Sequence, residues 1–216
     1  FTVLSLFFQF SLGFLLALLF NRDFPLKNLF QSLIMLPWVI PIIVSGSFYR
    51  WFFSDNGMLN GFLTYLKLCI RPIPWITSES LPILAITTAN IWLGLPFNFM
   101  LLYTGLTQIP IDILESAEID GASSWQKVFY IVFPILKPVT IATLTLGAIF
   151  TMKVFDLVWI ITQGGPGDVS HLFSTLSYSW AFNKFQFGQA SSVLVIMLII
   201  VISLTVLLWS VKTEEA

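Results

Sequence analysis

The sequence predicts an all-α, polytopic membrane protein, and three observations carry that prediction. Of the 216 residues, 57% are hydrophobic and only 10% charged, with 22 Phe and 8 Trp, more apolar surface than a soluble domain of this size can bury. Several runs reach the roughly 20 apolar residues that a helix rising about 1.5 Å per residue needs to cross a hydrocarbon core of about 30 Å. Polar stretches such as Asn21-Arg22-Asp23 and the Gly-Gly-Pro-Gly segment at Gly164 to Gly167 separate the runs. A net charge of −1 offers nucleic acid no basic surface and anionic lipid no polybasic anchor. Cys69 is the sole cysteine, so it forms no internal disulfide, and no Cys/His cluster has metal-ligand spacing.

The first span covers residues 1–20 and stops at Asn21. The second, 28–53, holds Pro37 and Pro41 four apart, which predicts a kinked or locally unwound helix, because proline removes a backbone bond and clashes with the preceding turn. Residues 54–80 are too polar to span, and Met58 to Leu68 predicts a short surface helix. The third span, 81–106, carries Gly94 and Pro96. The fourth, 137–161, contains Lys153 and Asp156, whose isolated charges are expected to pair near one end of the span. A fifth span covers 190–211 and leads into a hydrophilic end at 212–216. The whole chain, 1–216, reads as a single transmembrane domain.

The segment 107–133 is different in kind. Pro110 precedes and Gly121 follows a run of helix formers from Ile111 to Asp120, which is start and stop chemistry for a short helix. Asp112 and Glu115 fall near its positive end, and Leu114, Ala117 and Glu118 share a face. Gly121 can turn the chain in the left-handed region, and Ser123 with Gln126 predicts a capping box opening a second helix. From charge and caps alone, an ordinary amphipathic connector is the better explanation.

Glu115, Ser116 and Ala117, with Gly121, Ile131 and Pro134 at their spacings, resemble the Glu-Ala-Ala signature of permease subunits in ATP-binding-cassette importers. The interval from Gly121 to Ile131 matches, while Ser116 and Phe133 depart conservatively. Phe155-Asp156, Thr162 and Gly164-Gly165-Pro166 are similar to a passage of carbohydrate permeases of the maltose and glycerol-phosphate type, on the side of the first of two permease subunits. The resemblance implies a type I importer permease (MetI-like) helical bundle with a cytoplasmic coupling helix, in which those six signature residues engage an ATPase. It also implies the partners: a second homologous permease subunit, two ATP-binding-cassette ATPases carrying Mg-ATP, an extracytoplasmic solute-binding protein, and the lipid of a bacterial or archaeal cytoplasmic (inner) membrane. A further N-terminal span ahead of Phe1 is expected on the same ground. No Gly-x-x-x-x-Gly-Lys-Ser/Thr phosphate loop occurs, so this chain is expected to be no enzyme and to hold no cofactor of its own. Lys and Arg are too evenly spread to orient the chain; the resemblance places the signature loop in the cytoplasm.

Asn90, Leu93, Gly94 and Phe97 recur at i, i+3, i+4 and i+7 and so share one face of the third span. An amide beside an aromatic wall suits a sugar, whose hydroxyls need hydrogen bonds and whose ring has an apolar side. Similarity to the maltose-type permease assigns these four residues, with Trp38 and Phe150, to a sugar site; Thr151 stands where that family has Asn. Read from the residues alone, helix packing explains Asn90 and Gly94 as well as a cavity does. The resemblance implies a sugar or oligosaccharide as the solute, which the sequence does not distinguish from a polyol or a glycerol phosphate ester. Two rival classes are an ion-coupled secondary carrier centred on Lys153 and Asp156, and a scaffold subunit with no transport path; the internal repeats common in carriers are not apparent.

Overall fold

A computed structural model describes residues 1–213, with side chains through Ser210, so the hydrophilic end from Glu214 onward lies outside the described residues. Among them, all regular structure is helical. The first apolar run forms α1 (Thr2–Phe20). Ser5, Gln9, Gly13, Ala17 and Phe20 recur every three or four residues along it and are its buried stripe, packed mainly on the helix Pro82–Thr107. Small residues at such a seam let two backbones approach closely; a Cβ on Gly13 would lie 2.9 Å from Asn98 Cβ. Val3, Phe7 and Leu15 on the other face are exposed, as on a surface solvated by hydrocarbon.

The second apolar run is locally unwound and sharply bent, in keeping with its two prolines. It folds as α2 (Lys27–Val39) and α3 (Ile42–Phe52), bent by 94°. Pro37 is accommodated inside α2, and the break falls at Ile40, which is extended at φ −73° and ψ 128°. Ile40 precedes Pro41, whose ring disfavours a helical conformation there. The polar segment beyond holds α4 (Met58–Tyr65). Asn60 fastens it: its Nδ2 donates to the Ile73 carbonyl at 2.9 Å, and its Oδ1 accepts from Trp75 Nε1 at 3.1 Å.

The third run is α5 (Pro82–Thr107), helical through Pro96. After it come α6 (Ile111–Ile119), α7 (Ser124–Lys127), a π-helical turn at Val128–Val132, and α8 (Phe133–Ile135). A 70° bend then leads into α9 (Lys137–Met152).

Nor is 137–161 continuous. It divides at 153–155 into α9 and α10 (Asp156–Ile161). The carbonyl of Val154, left over at the break, accepts from Ser174 Oγ at 2.5 Å, so a residue twenty positions on satisfies what the helix gives up. With the helix broken between them, Lys153 and Asp156 form no ion pair among the described residues. Instead Lys153 Nζ sits 4.8 Å from the centroid of the Phe150 ring. The chain closes with α11 (Phe173–Tyr178), a π turn at Ser179–Asn183, and α12 (Phe187–Thr213). By length and composition α1, α5 and α12 can each cross a bilayer alone, while α2 with α3, and the helices from Ser124 with α9, qualify only as bent pairs.

The buried core is divided in two. Tyr49, Phe53, Ile86, Leu157 and Val158 form one cluster, and Ala17, Phe20, Phe99, Leu102, Leu106 and Leu136 form the other. Along α5 the first cluster reaches Ala89 and the second begins at Phe99. Between them, Asn90, Leu93, Gly94, Phe97 and Asn98 line the cavity described next.

Candidate functional site

Asn90, Leu93, Gly94 and Phe97 of α5 all face one cavity of about 250 Å³. Trp38 of α2 and Phe150 of α9 line it as well, so the six residues singled out for a solute site converge from three helices. The breaks beside α2 and α9 help this convergence, because broken helices can turn side chains into a cavity that a straight span would pass by. Trp38 and Phe97 stand 6.0 Å apart between ring centroids, and Phe97 meets Phe150 edge to face at 5.4 Å. Together they form an aromatic wall. Lys153, over the far member of that wall, is exposed.

The opposite wall is polar. Asn90 is only 6% exposed and its Nδ2 has no hydrogen-bond partner. Two residues beyond the expected set join it: Gln9 of α1 and Asn98 of α5, both lining the cavity. Gln9 Nε2 donates to the main-chain carbonyl of Asn90 at 2.8 Å. Asn98 Nδ2 donates to the Gly94 carbonyl at 2.9 Å, while its Oδ1 is buried without a partner. Thr151, 3% exposed, lines the same space. Gln9 was findable from sequence, since it interrupts an otherwise apolar run in register with Ser5, Gly13 and Ala17.

Gly94 has a more specific role than opening space. A Cβ built there would collide with the Gln9 side-chain amide. The absence of a side chain on α5 therefore seats the amide of α1.

The second group of residues lies at the other end of the bundle, beside the C-terminal ends of α1 and α5. α6 has no fully buried residue. Glu115 and Ser116 are exposed, Ala117 is half-buried, and Ser116 Oγ donates to the Asp112 carbonyl at 2.7 Å. Gly121 has φ +82°, the left-handed conformation that a Cβ penalises. The capping box is formed in both directions: Ser123 N–H donates to Gln126 Oε1 at 2.8 Å, and Gln126 N–H to Ser123 Oγ at 3.4 Å. Ile131 falls in the π turn, where Phe133 N–H bonds the Val128 carbonyl, and Pro134 is exposed in α8. Large apolar side chains flank the polar ones without cover, among them Ile119 at 87% exposed, Trp125 at 70% and Tyr130 at 78%. Such a patch suits contact with a partner surface or with lipid. Lys127 Nζ reaches Glu118 at 3.3 Å and joins α6 to α7.

A helical bundle with a half-polar cavity between two core clusters, and a capped helix pair displayed at one end, is the architecture of a membrane permease. The chain belongs to the family of binding-protein-dependent transport system inner membrane components, whose model matches residues 9–212. It is 33% identical over 200 residues to a probable ABC transporter permease protein of Brucella abortus, a match covering 92% of this chain and 69% of that one. The trehalose/maltose transport system permease protein MalF of Thermococcus litoralis is 31% identical over 207 residues, covering 95% and 69%. In fold it resembles a chain of a bacterial ABC transporter involved in import of the acidic polysaccharide alginate, with TM-score 0.88 at 21% identity, over 100% of this chain and 76% of that one. The protein is thus a permease component of an ABC importer.

Proposed function

We propose that this chain conducts a sugar or short oligosaccharide, delivered by an extracytoplasmic binding protein, through the cavity between Asn90 and the Trp38–Phe97–Phe150 wall. One observation carries the reading: Asn90 and Asn98, whose side chains each keep a buried amide atom without a partner, line the same space as three aromatic rings. Hydroxyls satisfy the first and the apolar face of a sugar ring packs on the second. A volume of about 250 Å³ lies below the roughly 300–1,000 Å³ of drug-sized sites and suits one ring at a time. Trp38 and Phe150 remain about half exposed, which is consistent with a second, homologous permease subunit completing the wall. The named solute of the Thermococcus litoralis relative agrees with this class.

Energy for the movement comes from outside the chain. Two ATP-binding-cassette ATPases, holding Mg-ATP, close against α6 and α7 and turn the helices joined to them. Glu115, Ser116, Ala117 and Gly121 shape the docking helix and its exit, and Ile131 and Pro134 carry the motion into α9. The complex sits in the cytoplasmic membrane of a bacterium or archaeon with this loop inside. This subunit performs no hydrolysis and needs no cofactor of its own.

The test is uptake of labelled sugars into proteoliposomes holding the complete complex and its binding protein. Accumulation that requires internal ATP supports the reading. Sugar uptake without any ATPase subunit overturns it in favour of a secondary carrier, and sugar-independent ATPase activity without uptake overturns it in favour of a scaffold.

A further inference from the structure

We propose that Gln9 of α1 is a solute-contacting, specificity-determining residue of the cavity, an assignment that rests on reading the cavity as the sugar site. Gln9 is 2% exposed and lines the cavity. Its Nε2 is committed to the Asn90 main-chain carbonyl at 2.8 Å. No side-chain or main-chain donor reaches its Oε1 among the described residues. The amide is therefore fixed by one end and offers the other as an acceptor. Because Gly94 leaves the notch that seats this amide, its position is set by packing as well as by the hydrogen bond.

The geometry also divides the polar wall by chemistry. Asn90 Nδ2 is a free donor, while Asn98 Oδ1 and Gln9 Oε1 are free acceptors. A sugar hydroxyl can accept from the first and donate to one of the others. An acceptor pair with no cation on that wall selects neutral hydroxyls. A carboxylate or sulfonate could accept from Asn90 Nδ2 but, having no proton to donate, would leave the two carbonyl oxygens unsatisfied and repelled, which disfavours an anion at this wall. Specificity at this wall thus depends on α1, a helix that would otherwise read as a passive lipid-facing neighbour of α5.

Two variants test the assignment in the complete reconstituted complex, with a panel of labelled probes: maltose, trehalose, glycerol 3-phosphate and a uronate disaccharide. Gln9→Met keeps the length and volume but removes the acceptor, together with the Nε2 donor that bonds the Asn90 carbonyl. It is expected to raise the KM for the transported neutral sugar several-fold with kcat nearly unchanged, and to narrow the preference for neutral over anionic probes. Gly94→Ala is expected to abolish uptake in the native background; Gln9→Ala should restore assembly and uptake, since the new methyl then enters vacated space, but with the raised KM and narrowed preference expected of a site that lacks the Gln9 acceptor. The paired variants also serve if Gln9→Met fails to assemble. Neutral-sugar uptake with unchanged KM and preference in Gln9→Met, or no rescue of Gly94→Ala, overturns the role of Gln9 alone. Failure of the native complex to take up any probe sugar overturns the sugar reading together with it.

Discussion

Lys127 holds Glu118 at 3.3 Å across the turn at Gly121, so that α6 and α7 are joined by an ion pair as well as by the chain. The lysine side chain is 19% exposed and the carboxylate 70%, and a pair this open contributes less than about 1 kcal/mol to stability. Its worth lies in holding the angle between the helices. Lys127→Ala is accordingly expected to leave expression and basal ATPase activity of the complex near native while lowering the sugar transported per ATP. Lys127→Glu combined with Glu118→Lys should recover part of the loss. The ratio of uptake to hydrolysis in proteoliposomes measures both.

Gly121 is in the left-handed region with nothing within 4 Å of a built Cβ. Substitution there costs conformation and causes no clash, roughly 1–2 kcal/mol for a β-carbon in that region. Gly121→Val should therefore reorient α6, uncouple ATP use from uptake and leave membrane insertion intact; Gly121→Asn, which tolerates the conformation, should be milder. Glu115→Ala is expected to uncouple in the same way without a stability change. Membrane abundance and uptake, measured side by side, separate the two effects.

The capping box at Ser123 predicts a local loss. Ser123→Ala removes one of two reciprocal bonds and should cost about 1 kcal/mol of helix stability. Hydrogen exchange at the amides of Ser124 to Lys127 should accelerate, with no change across α1 or α5.

His171 gives a pH dependence. Burial pushes its imidazole below the ordinary histidine range, against the opposing pull of Asp168, whose carboxylate lies 3.3 Å from Nε2; Lys184 adds a smaller push downward. The folded protein thus binds fewer protons than the unfolded chain, so the stability this group contributes is present above its unfolded value of about 6.5 and is lost as pH falls through the lower folded value. The melting temperature of the solubilised protein should drop on acidification through that window. His171→Asn should flatten the drop.

The helices themselves were legible because hydropathy over about 20 residues is a strong signal, and α1, α5 and α12 follow the apolar runs closely. The cap at Ser123 and the turn at Gly121 were legible for a local reason: each is fixed by residues within a few positions. Where the spans break was not. Pro37 and Pro41 announce a break, but the residues before both prolines are disfavoured in a helix alike, and only the folded chain shows that it turns at Ile40 and keeps Pro37 helical. At Lys153 no proline or glycine marks the division; it is held by the long-range bond from Ser174 to Val154, which no local pattern contains. The same separation explains the expected Lys153–Asp156 pair, correct for a continuous helix and undone by the break. In the cavity, the stripe on α5 could be read by period. Gln9 stood out as a polar residue in register on α1, but its pairing with Asn90 could not be read, since the two lie 81 residues apart.

The most direct test is whether a sugar occupies the cavity. With the sole native cysteine removed as Cys69→Ser, Val154→Cys places a near-isosteric thiol on the cavity lining, and its rate of modification by a small thiol reagent is measured in the assembled complex. The account predicts that the transported sugar slows modification several-fold while a non-transported sugar does not. An unchanged rate at saturating transported sugar, with the complex held in the state that binds it, would contradict the account.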